Sequence, residues 1–118
     1  MLPKANRLPA PDIRLLLRKG KRLHDPMFQL IYHKNNLSVS RFAFIVSTKI
    51  DKRATVRNRI KRLLRESVRL LLPNATSGFD VIFIAKTADM GDISQVKPKT
   101  EDILKKAGLS IVRGKAEN

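Results

Sequence analysis

Between Lys52 and Arg69 the chain reads KRATVRNRIKRLLRESVR. Eight of these eighteen residues are cations (Lys52, Arg53, Arg57, Arg59, Lys61, Arg62, Arg65 and Arg69), and one, Glu66, is an anion. The stretch thus carries +7 of a net charge of +15. The chemistry such residues offer is neutralisation of a polyanion, and guanidinium forks grip phosphate oxygens in bidentate fashion. Arg57, Lys61 and Arg65 stand at i, i+4 and i+8, about 6 Å apart per step on a helix, which is close to the phosphate spacing of an RNA strand. Asn58, between Arg57 and Arg59 near the helix start, offers an amide to a base, a sugar hydroxyl or backbone. The first-turn amides add an anion-binding end. A merely solvated helix face mixes its signs to limit repulsion. Here only Glu66 relieves the cations, so the pattern implies a polyanionic partner, RNA foremost.

The periodicity places this charge on a helix from Ala54 to Leu72, stopped by Pro73-Asn74. Ile60, Leu63, Leu64, Ser67, Val68 and Leu71 recur at three- and four-residue spacing and mark its buried face. Lys61, Arg62, Arg65 and Arg69 fall on the opposite arc, with Arg57 and Arg59 at its margins. Upstream, residues 1–11 hold Pro3, Pro9 and Pro11 and read as an extended basic arm bearing Lys4 and Arg7. Asp12 is the expected cap of a short helix with Ile13, Leu16 and Leu17 on one face, and Gly20 its expected end. Arg18, Lys19, Lys21 and Arg22 surround that end.

Met27 to His33 predicts a strand, with Phe28, Leu30 and Tyr32 on one face. Asn35-Asn36 marks a turn, and Arg41 to Thr48 predicts a second strand. That strand is apolar on both faces and so is expected at the sheet centre. Phe79 to Ala85 is a third strand. A last helix lies between Ser94 and Ala107, with Val96, Thr100, Ile103, Leu104 and Ala107 inward. Pro98 is expected only in its first turn, and Gly108 can close it. The tail after Val112 is expected to fray. The order defines an α/β fold, an α+β sandwich of one small sheet with helices packed on it.

Composition narrows the function. The 118 residues suit a single domain, and 42% hydrophobic content is enough for a core. There is no cysteine, which excludes disulfides, thiolate nucleophiles and cysteine zinc sites. The apolar run Leu15–Leu17 is too short for a signal peptide core. No stretch approaches the roughly 18 apolar residues of a membrane span. The expectation is a cytoplasmic protein with no membrane partner and no obligate protein partner.

Residues 52–66, KRATVRNRIKRLLRE, resemble the signature of the bacterial ribonuclease P protein subunit: an Arg-Asn-Arg triplet, then Ile60-Lys61-Arg62, then Arg65. Asn6-Arg7-Leu8, the Gly20 junction, Phe42 to Lys49 and Phe79 to Ala85 extend the resemblance to about residues 5–109. It implies a ribosomal protein S5 domain 2-like fold with a left-handed βαβ crossover, where the general rule favours the right-handed one. It implies an RNA subunit that uses Mg2+ to cut precursor tRNA and release the 5′ leader. The chain would bind that RNA through Lys52, Arg53, Arg57, Asn58, Arg59, Lys61, Arg62, Arg65 and Arg69. It would bind the leader in a cleft lined by Ile13, Leu17, Phe28, Leu30 and Tyr32, with Arg7, Arg14 and Arg18 (and Lys4 and Lys19) extending the positive surface. The sequence departs from the family where phenylalanine is frequent on the first helix, at Ile13 and Leu17. It departs again at Ile31, which takes the slot of a strand tyrosine that here is Tyr32.

Two rivals remain. A different RNA-binding module, such as a ribosomal protein, shares the charge but has no need of the intact RNRIKRLLRE string. A protein nuclease needs carboxylates clustered around metal. Asp89 and Asp92 read instead as turn and helix cap, Glu101 and Asp102 point to different helix faces, and His24 and His33 have no legible partner. A membrane-surface role would need the apolar face of the long helix, which the core requires. No metal-ligand set of the chain's own is legible.

Overall fold

The segment FDVIFIA is apolar at almost every position because both of its faces are covered. The computed structural model of the chain describes residues 2–72 and 77–109. In it this segment is β4 (Phe79–Ala85), inside a four-stranded sheet with β1 (Lys21–His24), β2 (Phe28–Lys34) and β3 (Arg41–Ile45) in the order β1-β2-β4-β3. β2 runs antiparallel to β1 and β4, with Leu30 opposite Phe83, whereas β3 runs parallel to β4, with Phe44 opposite Phe83. Helix α1 (Ala10–Lys19) covers one face, and α2 (Ala54–Leu71) and α3 (Ile93–Lys106) cover the other.

Period-two alternation divides the core. Phe28, Leu30, Phe42, Val81 and Phe83 pack with Ile60, Leu64 and Val68 of α2 and Val96, Ile103 and Leu104 of α3. Ile31, Ala43 and Ile82 pack with Leu8 and Leu16 behind α1. Ser67 and Thr100, polar residues on inward faces, donate their hydroxyls to the carbonyls of Leu63 and Val96 one turn back (2.9 Å each), which satisfies them in place.

The topology fixes the hand of the crossover. Phe42 faces α2, yet its carbonyl accepts from the Leu8 amide of the arm, on the side away from β4. Seen from the helix side with β3 running upward, an L-residue pointing its side chain at the viewer sends its own carbonyl to the right. β4 therefore lies to the left, and β3–α2–β4 is a left-handed crossover, against the usual preference.

Several local expectations change. β3 is not central: it ends the sheet order, and the arm covers its outer edge through the Arg7–Phe42 bridge, which is how an apolar edge strand avoids exposure. It also stops at Ile45, short of Thr48. The arm is not fully extended, since Lys4–Asn6 form a 3-10 turn and Leu2 and Leu8 are buried. β1 was not legible, because in Lys-Arg-Leu-His only Leu23 turns inward. Asp12 does not cap α1; the helix starts at Ala10 behind Pro9, with Pro11 in its first turn. Gly20 does follow α1, but in an extended conformation. Glycine is needed there for space, since a Cβ would overlap Ile31 Cγ2 and approach Leu16 O to 2.8 Å.

Helix α3 begins at Ile93 under a capping box, the Asp92 carboxylate accepting from Ser94 N (3.0 Å) and Gln95 Oε1 from Asp92 N (2.9 Å). Pro98 thus lies in the second turn rather than the first. Ser94 and Pro98 are both exposed, so the carbonyl that loses its N–H partner lies on the exposed side. The proposed stop at Pro73-Asn74 and the tail after Val112 fall outside the described residues.

Candidate nucleic-acid interface

Helix α2 positions the basic cluster. Its apolar stripe is anchored by Ile60, Leu64, Val68 and Leu71, all buried, which forces the intervening cations outward. The helix start is built by its own charges. Asp51 accepts from Arg53 at Nε (3.1 Å), Nη2 (2.9 Å) and the backbone amide (2.9 Å). Those hydrogen bonds hold its carboxyl down at about 2. Arg57 Nη1 donates to the carbonyls of Asp51 (3.0 Å) and Lys52 (2.8 Å), clamping the loop to the first turn. Arg53 stands at the cap position and offers the first-turn amides no side-chain acceptor, and no acid occupies that turn. An unneutralised positive helix end results.

The far end is quieter. Arg69 forks onto Glu66 at 2.8 and 2.6 Å, which lowers the Glu66 carboxyl below its usual range. Among the described residues, Arg57, Arg59, Lys61, Arg62 and Arg65 form no ion pair. Asn58, Arg59 and Arg62 are exposed, while Arg57, Lys61 and Arg65 are half-buried along the flank. Lys52 and Arg53 are exposed ahead of the helix. Sequence reasoning places Lys61, Arg62, Arg65 and Arg69 on the outer arc with Arg57 and Arg59 at its margins, and assigns all eight cations to RNA. The structure separates Arg53 and Arg69, each neutralised, and Arg57, tied to the loop, from the central unpaired group.

The second candidate surface does not come together as expected. Phe28 and Leu30 are 0% exposed and, with Tyr32, pack on the α2/α3 face. Ile13 and Leu17 pack on the opposite face, so no single cleft contains all five. The period of two that groups Phe28, Leu30 and Tyr32 also puts them on the wrong side of the sheet for α1. The residues beside Ile13 and Leu17 are Ile31, Ile45 and Ile84. The alternation of β2 and β4 could have shown them once the face under α1 was known. Ile45 and Ile84 stay half-exposed, and Arg14 and Arg18 are exposed on α1. Arg7 is exposed but tied to the arm, its Nε and Nη2 donating to Leu2 O at 3.1 and 2.9 Å.

One positioning device was missed. Arg41 forks onto Asp80 (2.9 and 2.8 Å) and reaches Asp12 of α1 at 3.4 Å, while Asn35 Nδ2 donates to Asp80 (2.8 Å). The Asp80 hydrogen bonds raise the Arg41 pKa. This network moors α1 to the sheet edge. Its residues are separated in sequence and carry no local signal.

Asp92 is used as a cap and Asp89 sits in a turn, its amide donating to Thr87 Oγ1. His33 Nδ1 lies 2.6 Å from Lys34 O. No group of three or more His, Cys, Asp or Glu among the described residues could hold a metal. No helix among them is long and apolar enough to cross a membrane.

A left-handed βαβ domain whose crossover helix presents unpaired arginines defines an RNA-binding α/β module. The family model described as Ribonuclease P matches residues 2–108. The ribonuclease P protein component of Caldanaerobacter subterraneus subsp. tengcongensis is 40% identical over 100 residues, covering 83% of this chain and 84% of that protein. The RNase P protein of Thermotoga maritima superposes with a TM-score of 0.77 at 30% identity, covering 85% of this chain and 96% of the other. The RNase P protein of Staphylococcus aureus superposes with a TM-score of 0.79 at 28% identity, covering 90% and 98%. The chain belongs to the ribonuclease P protein family.

Proposed function

We propose that this chain is the protein subunit of a ribonuclease P ribonucleoprotein, an endoribonuclease that removes the 5′ leader of precursor tRNA. The observation that carries the reading is the group Arg59, Lys61, Arg62 and Arg65 on one helix, without an ion pair among the described residues, in a chain matched to the family over almost its whole length. These residues neutralise phosphates of the RNA subunit. Arg57 and the Asp51–Arg53 pair set the geometry of the helix start, and Asn58 contacts RNA beside it. The hydrolysis belongs to the RNA subunit and its Mg2+. The chain's contribution is electrostatic: cations between catalytic RNA and substrate lower their mutual repulsion and with it the Mg2+ requirement.

The leader lies across the face under α1, on Ile13, Leu17, Ile45 and Ile84, with Arg14 and Arg18 at its phosphates. Phe28 and Leu30 have no part in that contact, since they are core. An aliphatic floor supplies area without the stacking that aromatic rings give, so the leader is held with little preference among bases. The complex works in the cytoplasm.

The test is precursor-tRNA cleavage at low Mg2+ by a bacterial ribonuclease P RNA, with and without the chain. Cleavage at the mature 5′ end that requires both components is the expected result. Cleavage by the chain alone would overturn the division of labour. Tight, salt-sensitive RNA binding without stimulation would favour a different RNA-binding role.

A further inference from the structure

The α2/α3 face of the sheet is not closed at its β3 edge. The arm meets β3 at Phe42, and between arm, strand and α2 a groove of 310 Å³ remains, lined by Leu2, Arg7, Phe42, Phe44 and Arg65. Its floor is aromatic and braced from below. Phe44 stacks on Phe83 (centroids 5.7 Å apart, planes 18° apart), and Phe83 meets the edge of Phe28 (5.3 Å, 88°). Phe28 and Phe83 are fully buried, whereas Phe44 is only partly so. Phe44 is the outermost ring of a three-ring ladder and lines the opening. The walls are cationic. Arg65 has no ion pair among the described residues, and Arg7 commits Nε and Nη2 to Leu2 O, leaving Nη1. Among the described residues, no acid lines the groove.

An aromatic floor beside unneutralised guanidinium groups is the chemistry that receives an unpaired base and its phosphate. A site for this must be concave and largely apolar with a few placed polar groups, as this one is. Its position adds a second argument. Arg65 ends the Arg57–Lys61–Arg65 row, so a strand tracking that row arrives at the groove. The face is also opposite the one under α1, so a leader held there could not fill it.

We propose that the groove takes one unstacked nucleotide of the bound RNA, with its base over Phe44 and its phosphate on Arg65 and Arg7. This rests on the RNA-binding reading above. The purely electrostatic helix thereby gains a point of register, because a single inserted base fixes where along the row the RNA sits.

The experiment uses the full chain with carbon-13-labelled phenylalanine and arginine, titrated with a hexa-adenylate and with an abasic ribose-phosphate hexamer. Hexa-adenylate should shift the Phe44 ring resonances upfield, the abasic hexamer should not, and both should move the Arg59 and Arg62 signals. Phe44→Leu, which keeps the position apolar while removing the ring, should weaken hexa-adenylate binding roughly tenfold and leave the abasic hexamer unchanged. Arg65→Gln leaves the aromatic ladder intact and should weaken both, which keeps the proposal testable if Phe44→Leu folds poorly. Equal Phe44 responses to the two hexamers would reduce the groove to a phosphate site and overturn the proposal. A silent Phe44 with responding arginines would overturn it while leaving the RNA reading standing. Arginines silent even to a bacterial ribonuclease P RNA would sink both.

Discussion

Helices α2 and α3 lie side by side on one sheet face, and each buries an apolar stripe in the same core. Their outer faces differ in how charge is handled. On α3, Lys105 pairs with Glu101 (3.6 Å), Lys106 with Asp102 (3.6 Å), and Lys99 reaches Asp25 (3.9 Å). On α2 only Arg69 has a partner within the helix, Glu66. The i, i+4 partner of Lys61 in each direction is another cation, Arg57 or Arg65. Helix α3 is thus an internal control for what an ordinary solvated helix looks like in this protein. Basic composition does not distinguish the two faces; missing partners do. Unrelieved repulsion on α2 is a stability cost that the fold retains, and an RNA backbone is the group that removes it.

Four experiments act on that difference. Reversing charge on α2 with Arg59→Glu and Arg62→Glu should weaken ribonuclease P RNA binding by roughly 100-fold or more at moderate salt. The matched pair Lys105→Glu and Lys106→Glu on α3 should change it by less than about threefold. Equal losses in a filter-binding assay would erase the contrast.

A smaller effect of opposite sign is expected in the free protein. Lys61→Gln removes two like-charge neighbours and should stabilise by about 0.4–1 kcal/mol, whereas Lys105→Gln should destabilise by about 0.2–0.5 kcal/mol. Urea denaturation resolves the sign.

Glu66→Gln releases Arg69 and should tighten RNA binding by roughly two- to threefold. No gain would mean that Arg69 lies outside the footprint.

The least effect is local. The Asp51 carboxyl sits at about 2 because Arg53 hydrogen-bonds its charged form. The stabilisation it gives the helix start is therefore present above the usual carboxylate range near 4 and is lost as pH falls through about 2. In an NMR titration, Arg53→Gln should move that midpoint upward.

The part of the interface that was legible in sequence is the part with local periodicity. Helix α2 was predicted at 54–72 and spans Ala54–Leu71, and β4 matches at Phe79–Ala85, because a 3.6-residue stripe and a short apolar run are written into consecutive residues. What was not legible depends on partners distant along the chain. The family resemblance implies Phe28 and Leu30 in the leader cleft, and their alternation puts them on one face, but alternation does not say which helix covers which face. That depends on the left-handed crossover, which generic rules would invert. Strand β3 reads as central from its composition and is an edge strand because the N-terminal arm shields it. Asp51 and Arg53 lie two residues apart, yet nothing in the string reveals that one carboxylate silences one arginine. The Arg41–Asp80–Asp12 mooring is invisible for the same reason. The family resemblance implies the function and the hand of the crossover, and the fold separates the cations into structural and unpaired groups.

The most direct test of the central claim is the salt dependence of ribonuclease P RNA binding for three proteins: the parent chain, Arg59→Ala with Arg62→Ala, and Lys105→Ala with Lys106→Ala. If the unpaired α2 cations neutralise phosphates, the slope of log K against log salt should flatten by about two for the α2 variant. The slope of the α3 variant should match the parent. A parent-like slope for the α2 variant, or an equal flattening for α3, would show that binding follows total charge rather than the unpaired face.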